Sequence, residues 1–192
     1  MTQGPSTTTS SCDSPVVLFE ASGSGSTFRN TWAGWYNSGY TVVSGQGKRS
    51  VYNTLAITRL RFSDNSGRFV EYALNPKYKR RTLLSIVQEC IGNKRSNDGS
   101  SAWDSGLCNN VGKLRSKSGS FGRFSVSSVL RIGVGDTGSD RGDWALLMPL
   151  QGNGNGDYRG SNTWVFGGED ATNNGYSGTV TISATCGMLQ LY

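Results

Sequence analysis

The chain has 192 residues, 27 of them Gly, and a formal net charge of +6. It contains no His, which excludes Ser-His and Cys-His nucleophile pairs and histidine-ligated zinc. Its five Trp, eight Tyr and seven Phe supply enough large apolar surface for a folded core. We predict a Thr/Ser-rich linker over residues 1–12 and a single β-rich domain over residues 13–192.

Short segments with strand periodicity predict a mainly β, antiparallel fold. Residues 15–21 form an apolar run of strand length, and residues 55–62 alternate between apolar and polar side chains with one phase slip that indicates a β-bulge. A turn sequence at residues 63–67 joins this segment to residues 68–74 and predicts a hairpin. The other predicted strands are residues 121–134, residues 143–148 (closed by Pro149), residues 163–166 and residues 177–192.

One segment has the periodicity of an α-helix instead. Leu83, Val87 and Ile91 lie four residues apart, which predicts one short helix over about residues 82–91, with Pro76 or Thr82 as its start signal. A single helix among many strands predicts an antiparallel β-sandwich or jelly-roll-like domain, with the helix packed across a sheet. An α+β arrangement is the alternative.

The four cysteines are widely spaced and include no C-x-x-C pair, so disulfides in an oxidising compartment are favoured over a metal site or buried thiols. We predict that Cys90 pairs with Cys108, the shortest available pairing, at the end of the predicted helix. Cys12 would then pair with Cys186 and join the first and last strands. No apolar stretch approaches the length that spans a membrane, and we expect a secreted or surface-displayed, extracellular protein.

Acidic residues cluster in the Gly-rich segments of the last third of the chain. Asp136, Asp140 and Asp143 lie within eight positions, and Asp157 follows the next predicted strand. Carboxylate and carbonyl oxygens on flexible loops are the ligands that Ca²⁺ prefers. These four residues therefore predict a calcium site, and ordinary Asp/Asn turn chemistry is the alternative interpretation.

Several tryptophans lie in polar stretches of the sequence. Trp103, Trp164 and Trp35 are flanked by Ser, Asn, Asp or Gly, and Asn162 precedes Trp164 by two positions. Aromatic faces beside planar hydrogen-bonding groups are typical of sugar-binding sites, although core packing is the alternative for each Trp. We expect the long polar segments 92–119, 135–143 and 151–162 to carry recognition.

Positive charge is concentrated in the middle of the chain. Residues 77–123 contain ten Lys or Arg and three Asp or Glu. This excess predicts a surface for an anionic partner such as nucleic acid, a sulfated glycan or an acidic subunit face. Solvated loops that flank a helix are the alternative interpretation.

These observations favour an extracellular binding or adhesion module that is lectin-like, recognises carbohydrate or another cell-surface or matrix ligand, and uses Ca²⁺. The first alternative is a structural subunit of a virion or surface filament, which would form homo-oligomers. The second is a glycosidase that uses two carboxylates. The missing His makes a binding protein the expected class over an enzyme.

Overall fold

The computed structural model describes residues 14–22, 37–39, 41–45, 47–91, 108–119, 125–132, 147–151 and 179–186. They form the strands and helices β1 (Val16–Ser22), β2 (Gly47–Lys48), α1 (Val51–Thr54), β3 (Ile57–Asp64), β4 (Phe69–Leu74), α2 (Leu83–Ile91), β5 (Cys108–Ser118), β6 (Ser125–Ile132), β7 (Leu147–Gln151) and β8 (Thr179–Cys186). The strands form one sheet in the order β2-β1-β8-β3-β4-β5-β6-β7, and all neighbouring strands are antiparallel. The mainly β, antiparallel fold is confirmed. Because the described strands all belong to one sheet, the sandwich or jelly-roll arrangement stays a prediction.

Strand β8 holds the two halves of the sheet together. Strands β3 to β7 follow one another in space as in sequence, whereas β8 lies between β1 and β3. Ile182 of β8 lies opposite Phe19 of β1 and opposite Phe62 of β3, and all three side chains are buried. The alternation that predicted this strand places Ile182 and Ala184 in the core, and the strand ends at Cys186.

The hydrophobic core packs inward-facing strand residues against helix α2. The helix begins at Leu83, because the hydroxyl of Thr82 accepts a hydrogen bond from the backbone N–H of Ser85 at 3.1 Å and caps its first turn. The helix and its Thr82 start signal are confirmed. Its core residues are Leu83, Leu84, Ile86, Val87 and Cys90, and they join strand residues that include Leu60, Tyr72, Val111 and Leu130.

The predicted hairpin between β3 and β4 is confirmed, and Asp64 determines its geometry. The Asp64 carboxylate accepts hydrogen bonds from the backbone N–H groups of Ser66 and Arg68, both at 2.9 Å. The Arg68 guanidinium donates to its second oxygen at 2.6 Å. Gly67 completes the turn with a φ of 81°, a conformation in which a glycine has no steric penalty.

The disulfide between Cys90 and Cys108 is confirmed, with a Cα–Cα distance of 5.2 Å. It links the end of α2 to the start of β5. Cys186 also belongs to a disulfide. Its predicted partner, Cys12, lies outside the described residues. The register that places Val16 opposite Ala184 brings the start of β1 next to the end of β8, which is consistent with that pairing.

The strands differ from the prediction in two places. The polar segment 92–119, in which we predicted recognition and no strand, contains β5 (Cys108–Ser118), which lies inside the sheet. Pro149 was expected to end a strand, but β7 runs through it to Gln151. Strand β7 is the last in the described sheet order, and a proline is tolerated there because an edge strand does not need every backbone N–H for pairing.

Lys48 is a buried cation next to the core. It shows no exposed surface, its ammonium group donates a hydrogen bond to the backbone oxygen of Asn37 at 2.6 Å, and it lies 5.1 Å from the centre of the Tyr52 ring. Burial lowers the pKa of the Lys48 ammonium from 10.5 to about 8. Burial also raises the pKa of the Tyr52 phenol.

We expect Lys48 to make the folded state more stable as the pH rises from 8 to 10. In this range the unfolded chain keeps the Lys48 proton and the folded chain has released it, so the free energy of unfolding increases by up to about 1.4 kcal/mol per pH unit. Urea denaturation of the wild type and of Lys48→Met across this range measures the difference in slope. The control is Lys113→Met, because the ammonium group of Lys113 is exposed to solvent and folding does not desolvate it. Parallel curves for the wild type and Lys48→Met would contradict the expectation.

Candidate functional site

The face of the sheet that points away from the core carries a group of cations. In β3, Leu60 and Phe62 are buried in the core, and the intervening residues Arg59 and Arg61 lie on the opposite face. We define the basic face as the set of cations that share this side of neighbouring strands: Arg59 and Arg61 of β3, Lys113 and Arg115 of β5, and Arg131 of β6.

Strand β4 forms the floor between two columns of these cations. Ala73 of β4 lies opposite Arg59 of β3 and opposite Lys113 of β5. Since neighbouring strands are about 4.8 Å apart, the two cationic columns are about 10 Å apart at this level. Ala73 contributes only a methyl group to the surface of β4 between them. Lys113 in turn lies opposite Val129, two residues before Arg131 on β6.

One level further along the strands, a single carboxylate positions two guanidinium groups. An oxygen of Glu71 accepts hydrogen bonds from Arg61 at 3.0 and 3.2 Å, and its other oxygen lies 3.8 Å from Arg115. The Arg61 guanidinium lies 4.2 Å from the centre of the Phe69 ring, in a cation–π contact. Glu71 is only 5% exposed, whereas the side chains of Arg61 and Arg115 are 33% and 44% exposed. The cluster presents a net positive charge to solvent in a fixed geometry.

A β-bulge brings Arg115 into this cluster. The register between β4 and β5 shifts between Glu71 and Tyr72, so that Glu71 lies opposite Ser116 and Tyr72 opposite Leu114. Arg115 is the extra residue at this position. A bulge redirects the side chain of its extra residue, and here Arg115 is within reach of Glu71.

Each carboxylate among the described residues is paired with a cation, in a chain whose net charge is +6. All four described carboxylates are in ion pairs with basic side chains: Glu20 with Arg49, Asp64 with Arg68, Glu71 with Arg61 and Arg115, and Glu89 with Lys77 and Arg81.

The ligand and metal residues predicted from the sequence lie outside the described residues. These are Trp35, Trp103, Trp164 and Asn162 for the ligand, and Asp136, Asp140, Asp143 and Asp157 for Ca²⁺. Within the described ranges, no group of three or more His, Cys, Asp or Glu could hold a metal ion. The same ranges contain no helix that is long and apolar enough to cross a membrane.

The predicted basic region coincides only partly with the basic face. Lys113 and Arg115 belong to the predicted range 77–123, but Arg59, Arg61 and Arg131 lie outside it. A count of charge along the chain misses them because a sheet brings together residues that are distant in sequence. The alternation of Arg59 and Arg61 with Leu60 and Phe62 was the available signal.

A double-mutant cycle should show that Arg61 and Glu71 stabilise one another. We expect a coupling energy of about 1 kcal/mol between Arg61→Ala and Glu71→Gln, because the contact is short but its Arg partner is partly solvated. The matched control is the cycle of Arg115→Ala with Glu71→Gln, in which the longer contact should give a smaller coupling. Free energies of unfolding from urea titrations provide both values. Equal coupling in the two cycles would contradict the geometry described above.

Comparisons with family models, with curated proteins and with solved structures find no match to this chain.

Proposed function

We propose that this protein is an extracellular, non-catalytic recognition module that binds an acidic polysaccharide on its basic face. The observation that carries the proposal is the arrangement of Arg59, Arg61, Lys113 and Arg115 in two columns on either side of β4. An acidic chain that lies over β4 contacts both columns along its length.

The chemistry of the cluster suits sulfate and carboxylate groups. Arginine presents a planar set of N–H donors that matches such groups in a two-pronged contact. Glu71 and Phe69 hold Arg61 in one orientation, so less side-chain entropy is lost when a ligand binds. Thr185 of β8, which is partly exposed, lies opposite Arg59 and adds a hydroxyl group beside this column.

The disulfides favour a polysaccharide over a nucleic acid. Cys90 is bonded to Cys108, and Cys186 is disulfide-bonded as well. Disulfides persist in oxidising, extracellular compartments, where acidic polysaccharides are the abundant polyanions. This agrees with the lectin-like, adhesive function that the sequence favours.

Lys113→Ala should weaken the binding of a sulfated polysaccharide by about twofold to fivefold at low salt, the range of one partly solvated charge contact. The matched control is Lys77→Ala, which removes the same charge from a residue already paired with Glu89. Titration of the wild type and both variants with dextran sulfate, and with neutral dextran of the same length, measures the effect. Added salt should weaken binding in every case, because exposed charges are screened.

Two outcomes would overturn this proposal. One is equal binding of neutral dextran and dextran sulfate, which would exclude a charge-based site. The other is tighter binding of single-stranded DNA than of dextran sulfate at the same ionic strength and charge, which would favour the virion-subunit alternative.

We also propose that Ca²⁺ stabilises the domain through Asp136, Asp140, Asp143 and Asp157. A ligand that binds only the folded state raises the melting temperature once its concentration exceeds the dissociation constant. We expect a higher melting temperature in millimolar CaCl₂ than in EDTA, and Asp140→Asn should reduce the difference. Mg²⁺ at the same concentration is the control for ionic strength. Equal melting temperatures in CaCl₂ and EDTA would show that these residues form ordinary turns.

A further inference from the structure

The segment that leads from β4 to α2 is the most basic part of the described chain. We define the basic loop as residues 75–81, Asn-Pro-Lys-Tyr-Lys-Arg-Arg. Its ends are held by backbone hydrogen bonds: Asn75 donates to Val111 of β5 at 2.9 Å, and Ile57 of β3 donates to Arg81 at 3.0 Å. Tyr78 is buried in the core at its centre. The loop is therefore an anchored structure with a defined position.

The cations of the basic loop fall into two groups. Lys77 and Arg81 form ion pairs with Glu89 of α2, and these contacts lower the pKa of the Glu89 carboxyl, first through the hydrogen bond from Arg81. Both cations are thus partly neutralised. Lys79 and Arg80 are exposed at the turn of the loop. The positive charges of these two side chains are therefore exposed to solvent.

Arg80 occupies a backbone conformation that arginine rarely adopts. Its φ is 62°, and it is the only non-glycine residue with a positive φ among those that the structure describes. The conformation lets the backbone N–H of Arg80 donate to Ile57 at 2.8 Å. This turn requires a left-handed residue, a role for which Gly or Asn is better suited than Arg. The fold therefore explains the conformation but does not explain the arginine.

The basic loop lies at the end of the sheet where β4 ends and β3 begins, next to the two cationic columns. Ile57, whose backbone is hydrogen-bonded to Arg80 and Arg81, precedes Arg59 by two residues on β3. A β-bulge separates these two residues, because Ile57 and Arg59 lie opposite the consecutive residues Cys186 and Thr185 of β8. The step from Arg59 to the loop is therefore shorter than the roughly 7 Å between Arg59 and Arg61.

We propose that Arg80, together with Lys79, forms a contact site at the end of the basic face that binds the same acidic polysaccharide chain. This inference rests on the proposed function. It specifies the orientation of the bound polysaccharide, which runs along the strands over β4 and reaches the basic loop with one end. Arg80 supplies the guanidinium group of this contact from a position whose backbone conformation is better suited to Gly or Asn.

The direct test uses Arg80→Gly, which removes the guanidinium and suits the observed backbone. Binding of long dextran sulfate should fall about twofold to fivefold at low salt, the range of one partly solvated charge contact. Binding of a sulfated disaccharide, which is too short to contact both the cluster at Glu71 and the loop, should stay unchanged. Lys113→Ala, in contrast, should weaken the binding of both the long dextran sulfate and the disaccharide. Arg80→Lys keeps the charge and should keep most of the binding, and Lys77→Ala is the matched control for the loss of one charge.

The outcomes separate this inference from the proposed function. If the wild type binds dextran sulfate and Arg80→Gly binds it equally well, Arg80 has no binding role and the inference is overturned alone. If Arg80→Gly loses disaccharide binding as Lys113→Ala does, the loop is not a separate end site and the inference is also overturned. If the wild type binds neither probe, the proposed function itself fails. The melting temperature of Arg80→Gly should not be lower than that of the wild type, and Arg80→Asn, which also suits this backbone, provides a second variant for the same comparison.

Discussion

The rest of the structure depends on the register that gives the sheet one apolar face and one cationic face. Successive side chains of a strand point to opposite faces, so a shift of one residue in the pairing of β3 would move Arg59 and Arg61 into the core. The pairing of Leu60 and Phe62 with Ala184 and Ile182 prevents this, because all four side chains are buried together. The core therefore fixes the position of the cations, although none of them contributes to it. Burial of the apolar side chains on one face of the sheet therefore determines where the charged side chains lie on the other face.

Two clusters among the described residues share one arrangement, in which one carboxylate lies between two cations. Glu71 lies between Arg61 and Arg115 on the sheet, and Glu89 lies between Lys77 and Arg81 beside the basic loop. Two cations held close together without an anion would repel one another. One carboxylate removes that repulsion and still leaves a net positive charge for a ligand. The hydrogen bonds from Arg81 and Lys77 lower the pKa of the Glu89 carboxyl, which favours its charged form.

Where local chemistry determines the structure, the sequence predicts it well. The hairpin at Asp64, the helix that starts after Thr82 and the disulfide at Cys90 each depend on residues close together in the chain, and all three are confirmed. Strand β5 could not be predicted in this way, because its buried apolar side chains are few and its other residues are polar or charged. Its position is set by pairing with β4 and β6, which a single segment does not reveal. The basic face was missed for the same reason, since Arg59 and Lys113 are neighbours only through the register.

Strand β5 also explains why the disulfide and the basic face belong together. A strand that presents Lys113 and Arg115 to solvent has little apolar surface left to bury, and only Val111 is fully buried in the core, with Leu114 partly buried against it. Gly112 further limits the apolar surface that β5 can bury. A Cβ atom at this position would lie 2.7 Å from the backbone oxygen of Ala73, so the position cannot hold a larger residue. The bond from Cys108 to Cys90 attaches the start of β5 to helix α2, which is well packed in the core. A cross-link limits the freedom of the unfolded chain and stabilises the fold where burial contributes little. The disulfide thus stabilises the attachment of the cationic strand β5, which buries little apolar surface of its own.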